Sequence, residues 1–180
     1  MGNSKEELRE MVGMHNEYLQ ELNVAINTGN YMEACWLCYA IFEQRTYRII
    51  EKIIPHCPVK KEHKKGFTGI KTRLLCLDSL RQGNYIGFFA FDKQIFSKII
   101  DWCERRNDLI HNLVDLEKYK EYKYEFGKLA QEGKVLVKAY YKQASDFRKW
   151  FYEYKEQLQP FPFEKCCQKL KQQCIKLNAK

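Results

Sequence analysis

The chain has 180 residues, a formal net charge of +8 and 45% hydrophobic residues, which suffices for one domain with a core and argues against intrinsic disorder. No apolar run approaches the ~20 residues that a membrane-spanning helix requires. The first residues also lack the apolar segment of a secretory signal peptide. We therefore expect a cytoplasmic protein without a membrane partner.

Apolar residues recur with a helical period along most of the chain. The pattern predicts five helices, with bounds at about 4–26, 31–54, 68–81, 92–114 and 115–159. Because most links between them are short, we expect an all-α fold, an antiparallel helical bundle of about five helices.

The chain is expected to divide into a helical domain and a short tail. We assign residues 1–158 to the helical domain and residues 159–180 to a basic tail rich in Cys, Lys and Gln. Residues 161–180 carry five lysines and one glutamate, so half of the excess charge of the chain lies in the tail. The tail is either a short helix or flexible.

The second predicted helix has an apolar stripe with one charged residue at its centre. Glu43 lies between Tyr39 and Tyr47 on this stripe, where a carboxylate must be paired or protonated. Two partners are open to it, Arg106 of a candidate site or another Arg or Lys in an ordinary ion pair. The stripe as a whole is expected to be buried and comprises Met32, Cys35, Trp36, Tyr39, Tyr47, Ile50 and Ile54.

The fourth predicted helix places a polar residue where its apolar pattern predicts a core position. Its stripe comprises Phe96, Ile99, Ile100, Cys103, Ile110 and Val114. The next position on this stripe is occupied by Asn107, and His111 follows about 40° round the same face. A buried Asn107 would need a hydrogen-bond partner. Either that partner is structural or this face has a function.

Arg106 and His111, separated by four residues, have side chains suited to phosphodiester chemistry. A guanidinium matches a phosphate as a bidentate fork, and an imidazole exchanges protons near neutral pH. Asn107, one turn before His111, is placed to hold the imidazole or a phosphate oxygen, and Asp108 is placed to orient the imidazole instead. Arg105 is an alternative to Arg106, although the phase of the helix favours Arg106.

The eight cysteines do not form a recognisable metal-binding pattern. Cys35 and Cys38 form a single CxxC motif inside a helix, and no second CxxC occurs. Free cysteines on apolar helix faces usually act as small hydrophobic residues. We therefore predict no metal and no cofactor.

The fifth helix begins with a segment that alternates Lys and Tyr. Residues 117–124 read Glu-Lys-Tyr-Lys-Glu-Tyr-Lys-Tyr. Lysines for phosphates and tyrosines for stacking are typical of single-strand binding, whereas the interspersed glutamates are equally typical of an ordinary solvated helix. Further along this helix, Gly133 lies on the apolar stripe, which favours a close helix contact or a kink.

The segment Arg106-Asn107-Asp108-Leu109-Ile110-His111 resembles the R-N-x-x-x-H motif of the HEPN superfamily (higher eukaryotes and prokaryotes nucleotide-binding). The order of the helices from about residue 4 to 158 is also similar, but only this hexamer is specific. Toxin members of the family commonly carry a Tyr two residues after the His, where this chain has Leu113.

The resemblance implies an all-α homodimer in which two motif helices form one composite active site. Many members are metal-independent endoribonucleases, in which a ribose 2′-OH attacks the adjacent phosphate and leaves cyclic phosphate and 5′-OH ends. By this resemblance His111 would be the acid or base, Arg106 would stabilise phosphate charge and Asn107 would position the scissile group. RNA is then the expected substrate. A role in defence or as a toxin with a cognate antitoxin or regulatory partner also follows from the family alone.

Two other functions remain open. The first is a non-catalytic helical module that binds RNA, a nucleotide or a protein partner, as other members of the superfamily do. The second is a structural bundle in which Arg106, Asn107 and His111 make a polar contact in the core.

Overall fold

The structure is a computed structural model, and it describes residues 17–53, 69–83, 87–114 and 119–154. The helices are α1 (17–27), α2 (Tyr31–Ile53), α3 (Ile70–Gln82), α4 (Ile95–His111) and α5 (Tyr119–Tyr154), with 3₁₀ turns at Phe88–Ala90 and Asn112–Val114. These ranges contain no strand, so the predicted all-α helical bundle is confirmed. The predicted tail, residues 159–180, lies outside the described residues.

The predicted helix boundaries that fall on described residues agree with the structure to within a few residues, and α4 shows the clearest offset. The predicted boundaries at about 4, 54, 68, 115 and 159 lie outside the described residues. The pattern predicts that α4 starts at about residue 92, but it begins at Ile95. Asp92 Oδ1 instead accepts a hydrogen bond of 2.8 Å from the Gln94 amide, which closes a local turn before the helix. No helix in the described ranges combines the length and apolar character needed to cross a membrane.

The contacts divide the chain into two compact units. Among the described residues, the first unit comprises 17–41, 102–114 and 119–137. The second comprises 42–53, 69–83, 87–101 and 138–154.

The core of the first unit is built around Trp102 of α4. Its indole is fully buried, and Nε1 donates a hydrogen bond of 2.8 Å to the carbonyl oxygen of Leu129 in α5. A Cβ on Gly133 would lie 2.8 Å from Trp102 Cζ2 and 3.0 Å from Cys38 Sγ. The close contact predicted at Gly133 is therefore confirmed, and α5 continues through it without a break.

The core of the second unit is aromatic. Phe88 of the first 3₁₀ turn and Phe91 directly after it are buried and pack against Phe147, with ring centroids 5.1 and 5.5 Å from that of Phe147. Tyr140 is also fully buried, and its hydroxyl shares a hydrogen bond of 3.0 Å with Thr46 Oγ1. The core of the second unit therefore contains two buried hydroxyl groups, which are hydrogen-bonded to one another.

The face of α2 that is buried differs from the one predicted. Met32, Trp36 and Tyr47 were expected in the core but are about half exposed. Cys35 and Ile50 are buried as expected, together with a neighbouring set made up of Ala34, Cys38, Ile41, Phe42, Thr46 and Ile49. The periodicity was ambiguous because α2 is apolar on more than one face. The small side chains in the buried set allow neighbouring elements to approach more closely than a row of large rings would.

Candidate functional site

The side chain of Arg106 lies inside the first unit. Arg106 is 7% exposed, whereas the adjacent Asn107 is exposed. The apolar stripe places Asn107 at a core position and Arg106 at its flank, yet the structure buries Arg106 and exposes Asn107. Of the two alternatives for Asn107, a buried residue with a structural partner is therefore excluded. The long side chain of Arg106 reaches from the flank of the helix into the interior, which helical phase alone does not describe.

Two aromatic rings of α2 hold the Arg106 guanidinium. Its Cζ atom lies 4.3 Å from the centroid of the Trp36 ring and 4.8 Å from that of Tyr39. Contacts of this kind attract a cation to the ring face. A ring face does not accept the strong in-plane hydrogen bonds of the guanidinium, so the N–H groups at the edges still need acceptors.

Only one side of the guanidinium has a hydrogen-bond acceptor among the described residues. Arg106 Nη1 donates to Asn107 Oδ1 over 3.0 Å. In the described part of the chain, buried Nε and Nη2 have no hydrogen-bond partner. The N–H bonds of these two nitrogens point in the same direction. They form the edge through which arginine binds a carboxylate or phosphate in a bidentate manner. We call these two N–H groups the free edge of Arg106.

The electrostatics of the free edge favour an anion. Burial lowers the pKa of the Arg106 guanidinium from its ordinary value, opposed by the Tyr39 phenol and the Cys35 thiol. An arginine nevertheless remains charged in proteins, because its intrinsic pKa is so high. A buried cation with two unsatisfied donors is stabilised most by a ligand that brings negative charge and two acceptor oxygens.

The other predicted residues of the motif lie on the surface next to Arg106. His111 is the last residue of α4, and both His111 and Asp108 are exposed. Asn107 and His111 are four residues apart, so their side chains are neighbours on one exposed face. Asn107 therefore connects the buried guanidinium, which it contacts directly, with the exposed imidazole one turn further on.

The two remaining candidates have ion-pair partners of their own. Arg105 is exposed and bonds Glu132 of α5 over 2.5 Å. Glu43 belongs to the second unit and pairs with Arg73 over 3.6 Å. Of the two partners that were open to Glu43, Arg106 or another basic residue, the structure shows an ion pair with another arginine.

The CxxC cysteines lie in the core of the first unit. Cys35 and Cys38 are fully buried and reduced. Burial raises the pKa of the Cys35 thiol to about 12, and raises that of Cys38 as well. Thiols in this state are poor nucleophiles and poor metal ligands. Among the described residues, no group of three His, Cys, Asp or Glu side chains is arranged to hold a metal.

Trp36 and Tyr39 belong to the site although the apolar pattern of α2 did not predict it. Both were assigned to the core because they fit an apolar stripe. A signal was nevertheless present, since rings three residues apart on a helix lie side by side and offer one surface to a cation.

Comparisons of the chain with protein-family models, with curated proteins and with solved structures found no match.

Proposed function

We propose that the protein is a metal-independent endoribonuclease of the HEPN type, acting as a homodimer. One observation carries this proposal, namely the free edge of Arg106, which is charged, buried and without an acceptor among the described residues. The exposed His111 lies on the same helix, one turn beyond the asparagine that Arg106 contacts. A phosphate binder and a proton carrier are the two groups that cleavage at a ribose phosphate requires.

In this mechanism the substrate is single-stranded RNA and Arg106 binds the scissile phosphate. The ribose 2′-oxygen forms a bond to phosphorus, and the bond from phosphorus to the 5′-oxygen breaks. His111 either removes the proton of the attacking 2′-OH or donates one to the departing 5′-oxygen, and water takes up or supplies the other proton. Negative charge that develops on the phosphoryl oxygens is stabilised by Arg106. The products are a 2′,3′-cyclic phosphate and a 5′-OH end.

Homodimerisation is part of the proposal because it would bring two Arg106 and His111 pairs to one RNA strand. The motif residues on the surface, Asn107 and His111, are accessible to a second copy of the chain. Two buried arginines close together would repel one another without an anion between them, which adds to the affinity for phosphate. Specific activity is expected to fall on dilution below the dissociation constant of the dimer.

The test is incubation of the protein with mixed single-stranded RNA in EDTA, followed by analysis of the ends. Wild type and Arg105→Ala, the matched control from the adjacent residue, are expected to leave cyclic phosphate and 5′-OH ends. His111→Ala is expected to lose about 10²- to 10⁴-fold in rate, the usual contribution of a general acid or base. Arg106→Ala is expected to lose cleavage and to bind RNA more weakly.

Two outcomes would contradict the proposal. A folded protein that binds RNA and leaves it intact would be a non-catalytic binding module. If RNA neither binds nor is cleaved, the motif is a polar contact of a structural bundle.

A further inference from the structure

A pocket in the first unit lies next to the Arg106 site and is not used by the proposed mechanism. It has a volume of about 400 Å³, within the range of roughly 300–1,000 Å³ that is typical of small-molecule sites. Its walls come from the start of α2, the 3₁₀ turn after α4 and the start of α5. The residues that carry the argument are Met32, Glu33, Leu113, Tyr122, Lys123 and Phe126.

The position of the pocket relative to Arg106 follows from two helices. Along α2, Met32 lines the pocket, and Trp36, which stacks on Arg106, comes four residues later and is therefore its neighbour. Along α4 and the turn that follows it, Leu113 lines the pocket two residues after His111. Arg106, His111 and the pocket residue Leu113 thus follow one another along α4 and the turn after it, with His111 between Arg106 and the pocket in the chain.

The chemistry of the pocket walls suits a flat, aromatic and partly polar ligand. Met32 and Leu113 provide apolar contact, and Tyr122 provides a ring for stacking. Glu33 and Lys123 add one acceptor and one set of donors. Tyr122 and Lys123 belong to the Lys and Tyr segment of residues 117–124, whose composition is typical of single-strand binding.

We propose that this pocket binds the nucleobase next to the phosphate held by Arg106. A base bound against Met32 and Tyr122 would fix the RNA strand and so hold its neighbouring phosphate towards Arg106 and its ribose towards His111. The inference rests on the proposed function, because it takes single-stranded RNA as the ligand.

The experiment measures binding of fluorescently labelled oligouridylate to the His111→Ala protein, which keeps the strand intact. The reference ligand is an abasic ribose phosphate chain of equal length and charge. Tyr122→Ala removes the ring from the pocket. Tyr152→Ala is the matched control, because it removes the same ring from the same helix at a residue that is 52% exposed, does not line the pocket and lies outside the Lys and Tyr segment.

We expect the His111→Ala protein to bind oligouridylate about 5- to 150-fold more tightly than the abasic chain, the range that stacking of one base provides. Tyr122→Ala is expected to lose most of this difference and Tyr152→Ala to keep it. Met32→Ala is a second variant at a half-exposed position, where loss of the fold is not expected, and it should weaken the same preference.

The possible failures are distinguishable. If oligouridylate and the abasic chain bind equally, or if Tyr122→Ala and Met32→Ala keep the preference, the pocket does not hold a base although RNA binding stands. If neither ligand binds, the proposed function fails and this inference fails with it. Binding with the expected preference, in a wild-type protein that leaves RNA uncut, would retain the pocket and refute the nuclease.

Discussion

Replacing Arg106 with methionine is expected to stabilise the fold while removing the proposed activity. Methionine retains an unbranched side chain that packs against Trp36 and Tyr39, but it carries neither the charge nor the N–H groups. A residue kept for structural reasons stabilises its protein, whereas a residue kept for binding often does the opposite. The sign of the stability change therefore separates a structural Arg106 from a ligand-binding one.

The size of the expected change in the free energy of unfolding follows from the contacts of the Arg106 guanidinium. Its Nε and Nη2 are buried donors without an acceptor among the described residues, and each such group costs about 1–3 kcal/mol. Against this, the variant loses contacts with two rings, of which Trp36 is half exposed and Tyr39 partly exposed, so that each contact is worth about 0.5–1 kcal/mol. It also loses one hydrogen bond to the exposed Asn107, worth about 0.5–1.5 kcal/mol. We expect the free energy of unfolding to rise by about 1 kcal/mol.

The assay is urea denaturation followed by circular dichroism, at one protein concentration because a dimer would make stability concentration-dependent. Arg105→Met is the control: it removes a guanidinium from the adjacent, exposed position, and we expect a change within about 0.5 kcal/mol. Excess phosphate should stabilise the wild type and not Arg106→Met. A loss of about 2 kcal/mol or more in Arg106→Met would refute the reasoning, since it would mean that the guanidinium stabilises the fold.

Three further predictions concern the core, each measured as a change in the free energy of unfolding. Gly133→Ala is expected to lower the free energy of unfolding by about 1–3 kcal/mol through overpacking. Gly127→Ala is the control, because its Cβ would meet only a half-buried ring at 3.2 Å, and it should leave the free energy of unfolding unchanged or raise it. Equal effects of the two substitutions would contradict the packing argument. Thr46→Val should lower it by about 1–3 kcal/mol by leaving the Tyr140 hydroxyl without this partner, and adding Tyr140→Phe should recover part of the loss. The pKa of the Cys35 thiol is about 12 in the folded protein and ~8.5 in the unfolded chain. Burial of the neutral thiol therefore contributes fully to the free energy of unfolding below pH ~8.5, and this contribution is lost as the pH rises towards 12. Cys35→Ala should therefore reduce the slope of stability against pH in this window, and an unchanged slope would show that the thiol does not contribute.

The sequence was sufficient to determine the fold class and most of the helix positions. The period of apolar residues predicted α2 and α3 to within two residues at each end. It also identified Gly133 as a place of close contact and Cys35 as a buried side chain. These features depend on spacing along one helix, which the order of residues specifies directly.

Only the tertiary structure decided which side chains of the candidate site are buried and which are paired. Trp36 fits the apolar stripe of α2 but is half exposed. Arg106 flanks the apolar stripe of α4 but is buried. Glu43 had two possible partners and pairs with Arg73. The physical reason is that burial depends on which face of a helix meets its neighbours and on how far a long side chain reaches. Neither is contained in the period of a single helix, because both arise from packing between helices that are distant in sequence.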